Sequence, residues 1–156
     1  MTEVFLSIGS NCDRQTNIAA ALRLLGDKFG ELRLSPIYES APVNGLGENY
    51  HNLCVGLVTD MDLTDFRRVL KDIEQQLNRR RETKDIVTID IDILLFGNVV
   101  NCQQSSSLPH ADITAHVHVL TPLKDIAPSN VHPLINKTIE QIFREMNHQR
   151  PLRRIT

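Results

Sequence analysis

The segment Ile89-Asp90-Ile91-Asp92-Ile93-Leu94-Leu95-Phe96 constrains this chain more than any other. Strict alternation of β-branched apolar and acidic residues has the two-residue period of a strand and fits no helix face. A strand over residues 88–96 puts Ile89, Ile91 and Ile93 on one side, where they can pack against helices. It puts Asp90 and Asp92 together on the other side, their Cα atoms about 6.5 Å apart. Two like charges beside a core repel each other and resist desolvation, and a cation between them relieves both penalties. Carboxylate oxygens with no neighbouring thiolate or paired imidazole favour Mg²⁺ or Mn²⁺. A strand whose polar face is simply solvated gives the same pattern, so the residues alone leave both readings open.

The rest of the chain supplies partners for that strand. Val4-Phe5-Leu6-Ser7-Ile8 reads as a buried strand that ends at Gly9-Ser10-Asn11. Ile18, Leu22, Leu25 and Phe29 recur at helical spacing, with Gly30 suited to the stop. Residues 32–38 read as a second strand, bulged or at an edge because of Pro36, and residues 53–58 as a third. The loop over residues 42–49 carries Gly45 and Gly47 and reads as mobile. Asp62 is the expected N-cap of a helix whose apolar stripe is Phe66, Val69, Leu70, Ile73 and Leu77. Arg67, Arg68, Lys71, Asp72 and Gln75 form its opposite, solvated face.

Beyond the acidic strand, Gly97-Asn98 suggests a hairpin into Val99-Val100. A short helix is expected within residues 112–123, broken before Pro122. A last helix turns Ile135, Ile139, Ile142, Phe143 and Met146 inward, and the basic residues 150–156 read as a loose tail. The order β-α-β-β-α-β predicts an α+β fold, a ferredoxin-like core with a mostly antiparallel sheet and C-terminal helical additions. Residues 1–156 read as one domain.

Composition removes several functional classes. Seventeen Lys and Arg against nineteen Asp and Glu leave a net charge of −2, which argues against a nucleic-acid-coating surface. The apolar stretches fall far short of the ~20 residues that a membrane span needs. Met1-Thr2-Glu3 lacks the basic start of a signal peptide, and Cys12, Cys54 and Cys102 are widely spaced. Free thiols in a reducing cytoplasm are the expectation.

Other chemistry gathers near the acidic strand in sequence. Arg79-Arg80-Arg81 and Lys84 suit polyphosphate, and they equally suit a solvated face. Glu74, next to Ile73 on the preceding helix, can lean toward the sheet or face solvent. His110 after Pro109 can donate to a phosphate oxygen or sit on a surface loop. His116 and His118 would share a face in a strand, where they could hold a second metal, but not in a helix. Tyr50-His51-Asn52 offers a ring to stack on a heterocycle and an amide to pair with its edge.

Together these residues resemble the 6-hydroxymethyl-7,8-dihydropterin pyrophosphokinase family. The resemblance rests on Ile8-Gly9-Ser10-Asn11, Tyr50-His51-Asn52, the acidic strand through Gly97, Leu108-Pro109-His110-Ala111-Asp112, and Pro122-Leu123 with Ile126-Ala127-Pro128. It implies pyrophosphoryl transfer from ATP to a pterin's hydroxymethyl oxygen, with release of AMP. It implies that Asp90 and Asp92 hold two Mg²⁺ ions and act with Arg79 and Arg81 in the transfer. Glu74, Arg81, Ile93 and His110 are implied at the nucleotide. Ser40, Ala41, Val43, Tyr50 and Asn52 are implied at the pterin. The chain also departs from the family pattern. Asp85-Ile86-Val87 stands where a Gly-Pro-Arg segment is usual. Ser105 and His116 stand at basic positions, and His118 and Lys84 at aromatic ones. A pterin- or nucleotide-binding relative with little or no activity, lacking phosphate-binding arginines, is the alternative expectation.

Overall fold

The computed structural model describes residues 1–77, 85–102, 107–146 and 152–156. In chain order the elements are β1 (Thr2–Ser10), α1 (Arg14–Phe29), β2 (Arg33–Leu34), β3 (Tyr38–Ser40), β4 (Tyr50–Thr59) and α2 (Leu63–Gln76). They continue as β5 (Asp90–Phe96), α3 (Asp112–Ala115), α4 (Val117–Ile126), α5 (Ile139–Glu145) and β6 (Arg153–Arg154). The strands form one sheet in the order β5-β1-β4-β3-β6, with β2 also paired to β4. Every pairing is antiparallel. This is the expected α+β arrangement.

Alternation along the central strands sorts their side chains into two cores. Val4, Leu6 and Ile8 of β1, Leu53, Val55 and Leu57 of β4, and Ile91 and Ile93 of β5 pack under α1 and α2. Phe5, Cys54, Leu94 and Leu95 point the other way, under Ile113, Val119, Leu120, Leu123, Ile139 and Ile142 of α3, α4 and α5. The C-terminal helices therefore cover the second face of the sheet. Leu94 and Leu95 lie on the same side because the β1–β5 register shifts between Phe5 and Leu6, where two residues of β5 oppose one of β1.

Several expectations about elements are corrected. The second strand is broken into β2 and β3 around Ser35-Pro36-Ile37. Pro36 has no N–H for a ladder, and Ser35 bridges the gap: its N–H donates to Cys54 O at 3.0 Å, and its Oγ accepts from Cys54 N at 2.8 Å. Val99-Val100 forms no strand; among the described residues the chain returns only as a bridge between Asn101 and Leu108. Helix α4 runs through Pro122, losing only the bond to the His118 carbonyl, and the break falls earlier, at the extended residue His116. The last helix starts at Ile139, where Thr138 and Gln141 form a capping box, so Ile135 lies outside it and is 41% exposed. Residues 153–154, read as part of a loose tail, pair with β3 at the sheet edge. No helix among the described residues is long and apolar enough to cross a membrane.

Candidate active site

The polar end of the second face is a small basin. Across it, Asp90 of β5 is paired with Gly9 of β1, and Gly9 with Asn52 of β4. Asp92 is paired with Ser7 one step further along. Both carboxylates therefore share the side that the sequence assigned them, and both are half-buried. Gly9 forms the floor. A Cβ there would lie 3.4 Å from Asn52 Oδ1 and 3.7 Å from the Tyr50 ring.

Asn52 is 5% exposed, and its Nδ2 donates to Ser40 Oγ at 2.7 Å, which fixes the amide relative to β3. Ser40, Ala41 and Val43 close one wall; Asp112, His118 and Val119 close the other. The cavity is about 290 Å³. The structure thus brings together all five residues expected at a pterin with the two aspartates.

A second hollow, about 880 Å³, opens between α2 and β5. Arg67, Lys71 and Glu74 line it from α2, with Ile93, His110 and Asp92 opposite. Asp92 lines both hollows and is the wall between them. Glu74 is 6% exposed, and the Ile91 N–H, between the two aspartates, donates to its Oε2 at 3.4 Å. The leaning orientation is the observed one.

His110 is delivered by two backbone contacts. Its N–H donates to the carbonyl of Leu94, at the bulge, at 3.0 Å, and its Nδ1 accepts from the Asp112 N–H at 3.1 Å. That leaves the neutral ring's proton on Nε2. Asp112 lies between two imidazoles, with His110 Nδ1 3.7 Å from Oδ2 and His116 Nε2 3.8 Å from Oδ1. His116 stands at the α3–α4 junction and His118 in the first turn of α4, their rings stacked with centroids 5.0 Å apart. Burial, and then the nearby His116, push the His118 pKa down to about 4. At neutral pH His118 is an uncharged ring over the cavity.

The rim is tied together by Asn11. Its Nδ2 donates to Asp85 O at 2.8 Å, its Oδ1 accepts from Val87 N at 2.6 Å, and its N–H donates to Val87 O at 2.9 Å. Gly47, with φ +84°, lies against the same Asp85 carbonyl, 2.6 Å from where a Cβ would stand. Asn11 thus joins its own loop to the 85–87 segment, against which Gly47 packs.

Arg79, Arg80, Arg81, Lys84 and Ser105 lie outside the described residues. The sequence reading missed Ser7, Asn11, Arg67, Lys71 and Asp112 as site residues. Arg67, Lys71 and Glu74 sit at i, i+4 and i+7, one stripe of α2, and that spacing was the available signal. Asp112 was signalled by its two-residue separation from His110 and by its place in the Leu108–Asp112 motif.

The chain is similar to known proteins in sequence and in fold. A family profile described as 7,8-dihydro-6-hydroxymethylpterin-pyrophosphokinase (HPPK) matches residues 5–128. The 2-amino-4-hydroxy-6-hydroxymethyldihydropteridine pyrophosphokinase of Aquifex aeolicus is 27% identical over 154 residues, covering 97% of this chain and 96% of that protein. The bifunctional protein FolKE of Lactococcus lactis subsp. cremoris is 33% identical over 131 residues. That match covers 81% of this chain but only 38% of the longer protein. The solved HPPK-DHPS of Plasmodium falciparum with pteroate shares the fold, with a TM-score of 0.73 and 18% identity over 92% of this chain and 42% of that one.

Proposed function

The chain belongs to the 7,8-dihydro-6-hydroxymethylpterin-pyrophosphokinase family, and from that premise we propose that it transfers pyrophosphate from ATP to 6-hydroxymethyl-7,8-dihydropterin, releasing AMP. The observation that carries this reading is the shared wall: Asp92 borders a small basin and a larger basic hollow at once. A flat heterocycle in the basin, between the Tyr50 and His118 rings and edge-on to Asn52, points its substituent at that wall. A triphosphate along Arg67 and Lys71 meets the wall from the other side.

The donor set fits Mg²⁺. Two half-buried carboxylates on one strand face offer hard oxygens with room for phosphate and water as further ligands. Bound Mg²⁺ neutralises charge building up on the transferring phosphoryl oxygens. In the reaction the hydroxymethyl oxygen bonds to the β-phosphorus, the bond from that phosphorus to the α–β bridging oxygen breaks, and AMP departs. The hydroxyl proton passes to water. The protein's part is positioning and charge: Asn52 and Tyr50 orient the acceptor, Arg67 and Lys71 line the triphosphate, and His110 Nε2–H donates to a phosphate oxygen. Glu74 braces the Ile91 amide and so holds the two aspartates in register. The reaction requires no strong protein base.

The decisive experiment is a coupled AMP assay. Mg²⁺-dependent AMP formation that requires the pterin acceptor is expected, and Asp92→Ala should lower kcat by at least ~10³. Absence of AMP at high enzyme concentration, or an unchanged rate in that variant, defeats the reading. A binding-only relative is the second reading, motivated by Val87, whose backbone is held by Asn11 in the segment where the family pattern carries an arginine. Calorimetry separates the two, because a transferring site couples pterin affinity to Mg-ATP and a simple binding module does not.

A further inference from the structure

Asp92 faces a second set of donors besides Asp90. One ligand atom from each of Asp92, His110 and Asp112 lies within 4.8 Å of the others. The three come from separate places in the chain, β5, the loop after Pro109, and the start of α3, and the backbone bond from His110 N to Leu94 O draws the last two onto the strand.

The spacing leaves room for an ion among the three. His110 Nδ1 and Asp112 Oδ2 are 3.7 Å apart, too far for a direct bond. Donors held ~2.1 Å from a tetrahedral ion stand about 3.4 Å from one another. His110 Nδ1 accepts from the Asp112 N–H at 3.1 Å. An ion ligated by Nδ1 takes that single lone pair in place of the N–H. His116 Nε2, 3.8 Å from the other Asp112 oxygen, stands next to the cluster.

We propose that Asp92, His110 and Asp112 form a site for a transition-series divalent cation of the Zn²⁺ class, filled without nucleotide. One imidazole and two carboxylates suit borderline ions from Mn²⁺ to Zn²⁺. Mg²⁺ prefers oxygen donors and keeps most of its water. The inference rests on donor geometry and stands apart from the pyrophosphokinase reading. It has a consequence for that reading, because an ion here withdraws Asp92 from the acidic pair. Zn²⁺ should therefore oppose Mg-ATP.

The test is a titration of the whole chain with Co²⁺ in the absence of nucleotide, followed by the visible bands of low-symmetry Co²⁺. One equivalent should develop them, and one equivalent of Zn²⁺ should remove them. His110→Gln and Asp112→Asn, each checked for fold by circular dichroism, should weaken Co²⁺ at least ~10-fold. Asp90→Asn should leave Co²⁺ affinity unchanged. No bands at one equivalent, or bands that ignore both substitutions, overturns the proposal. So does loss of the bands in Asp90→Asn alone, which would place the ion on the acidic pair. Intact Co²⁺ binding in a protein that makes no AMP overturns the pyrophosphokinase reading and leaves this one standing.

Discussion

A methyl group at Gly9 would project into the basin floor, within contact distance of Asn52 Oδ1 and the Tyr50 ring. Gly9→Ala should raise the pterin KM about tenfold while leaving the melting temperature nearly unchanged, since the added atom meets ligand space rather than core. Binding calorimetry and a thermal melt check both halves. His118 sets a pH dependence. Its folded pKa is depressed from 6.5 to about 4, so between those values the unfolded chain takes up a proton that the native chain does not. Its contribution to stability is complete above pH ~6.5 and falls away as the pH drops toward 4. His118→Phe should flatten that decline by ~1–3 kcal/mol in denaturant titrations at pH 7 and pH 4.5. The His132 pKa is lowered too, chiefly by burial, so some acid sensitivity persists in the variant. At this scale Asp90 and Asp92 were legible in the sequence because a strand's alternation fixes side-chain direction. Asp112 and Asn11 were not, because a loop's direction depends on partners far away in sequence.

Elements were read well where one periodicity governs and poorly where two constraints compete. Helix α2 follows its stripe and its cap, with Asp62 Oδ1 accepting from Asp65 N at 2.8 Å. Asp62→Ala should cost about 1 kcal/mol in chemical denaturation, within the usual range for a lost N-cap. The same pattern misplaced the basic face of α2. Amphipathicity tells which side is buried, but Arg67 and Lys71 are useful because β5 and the His110 loop stand opposite them. Pro122 was read as a helix breaker on local grounds. It is buried within α4, whose packing over β4 and β1 offsets the one missing hydrogen bond. Strand β5 departs from simple alternation at Leu94-Leu95, where a bulge serves the second core. Two adjacent leucines do not by themselves announce a bulge.

Across the whole molecule, the sheet is a partition with a core on each side, and the site lies where the second core gives way to polar residues. The helices of that second core hold His118, Val119 and Asp112 against the basin. Leu120, fully buried in α4, reports on this support. Leu120→Ala should destabilise the fold by ~2–5 kcal/mol in urea and loosen pterin binding, without touching the ligand. Unchanged binding in the folded variant would show that the far helices play no part in shaping the basin. The ferredoxin-like core followed from element order. That a full second layer of helices covers the other face did not follow, because short helices broken at His116, with a proline inside α4, leave a faint periodic signal.

The Leu94 carbonyl that catches His110 also divides the chain into lengths that can drift and lengths that cannot. Asn101 and Leu108 exchange two backbone bonds, and His110 is fastened two residues beyond. A residue inserted between Asn101 and Leu108, outside these bonds, should leave the imidazole in place. The interval from Asp92 to Leu94 has no such freedom: one residue added there would carry the histidine a full strand step away from the carboxylate it attends.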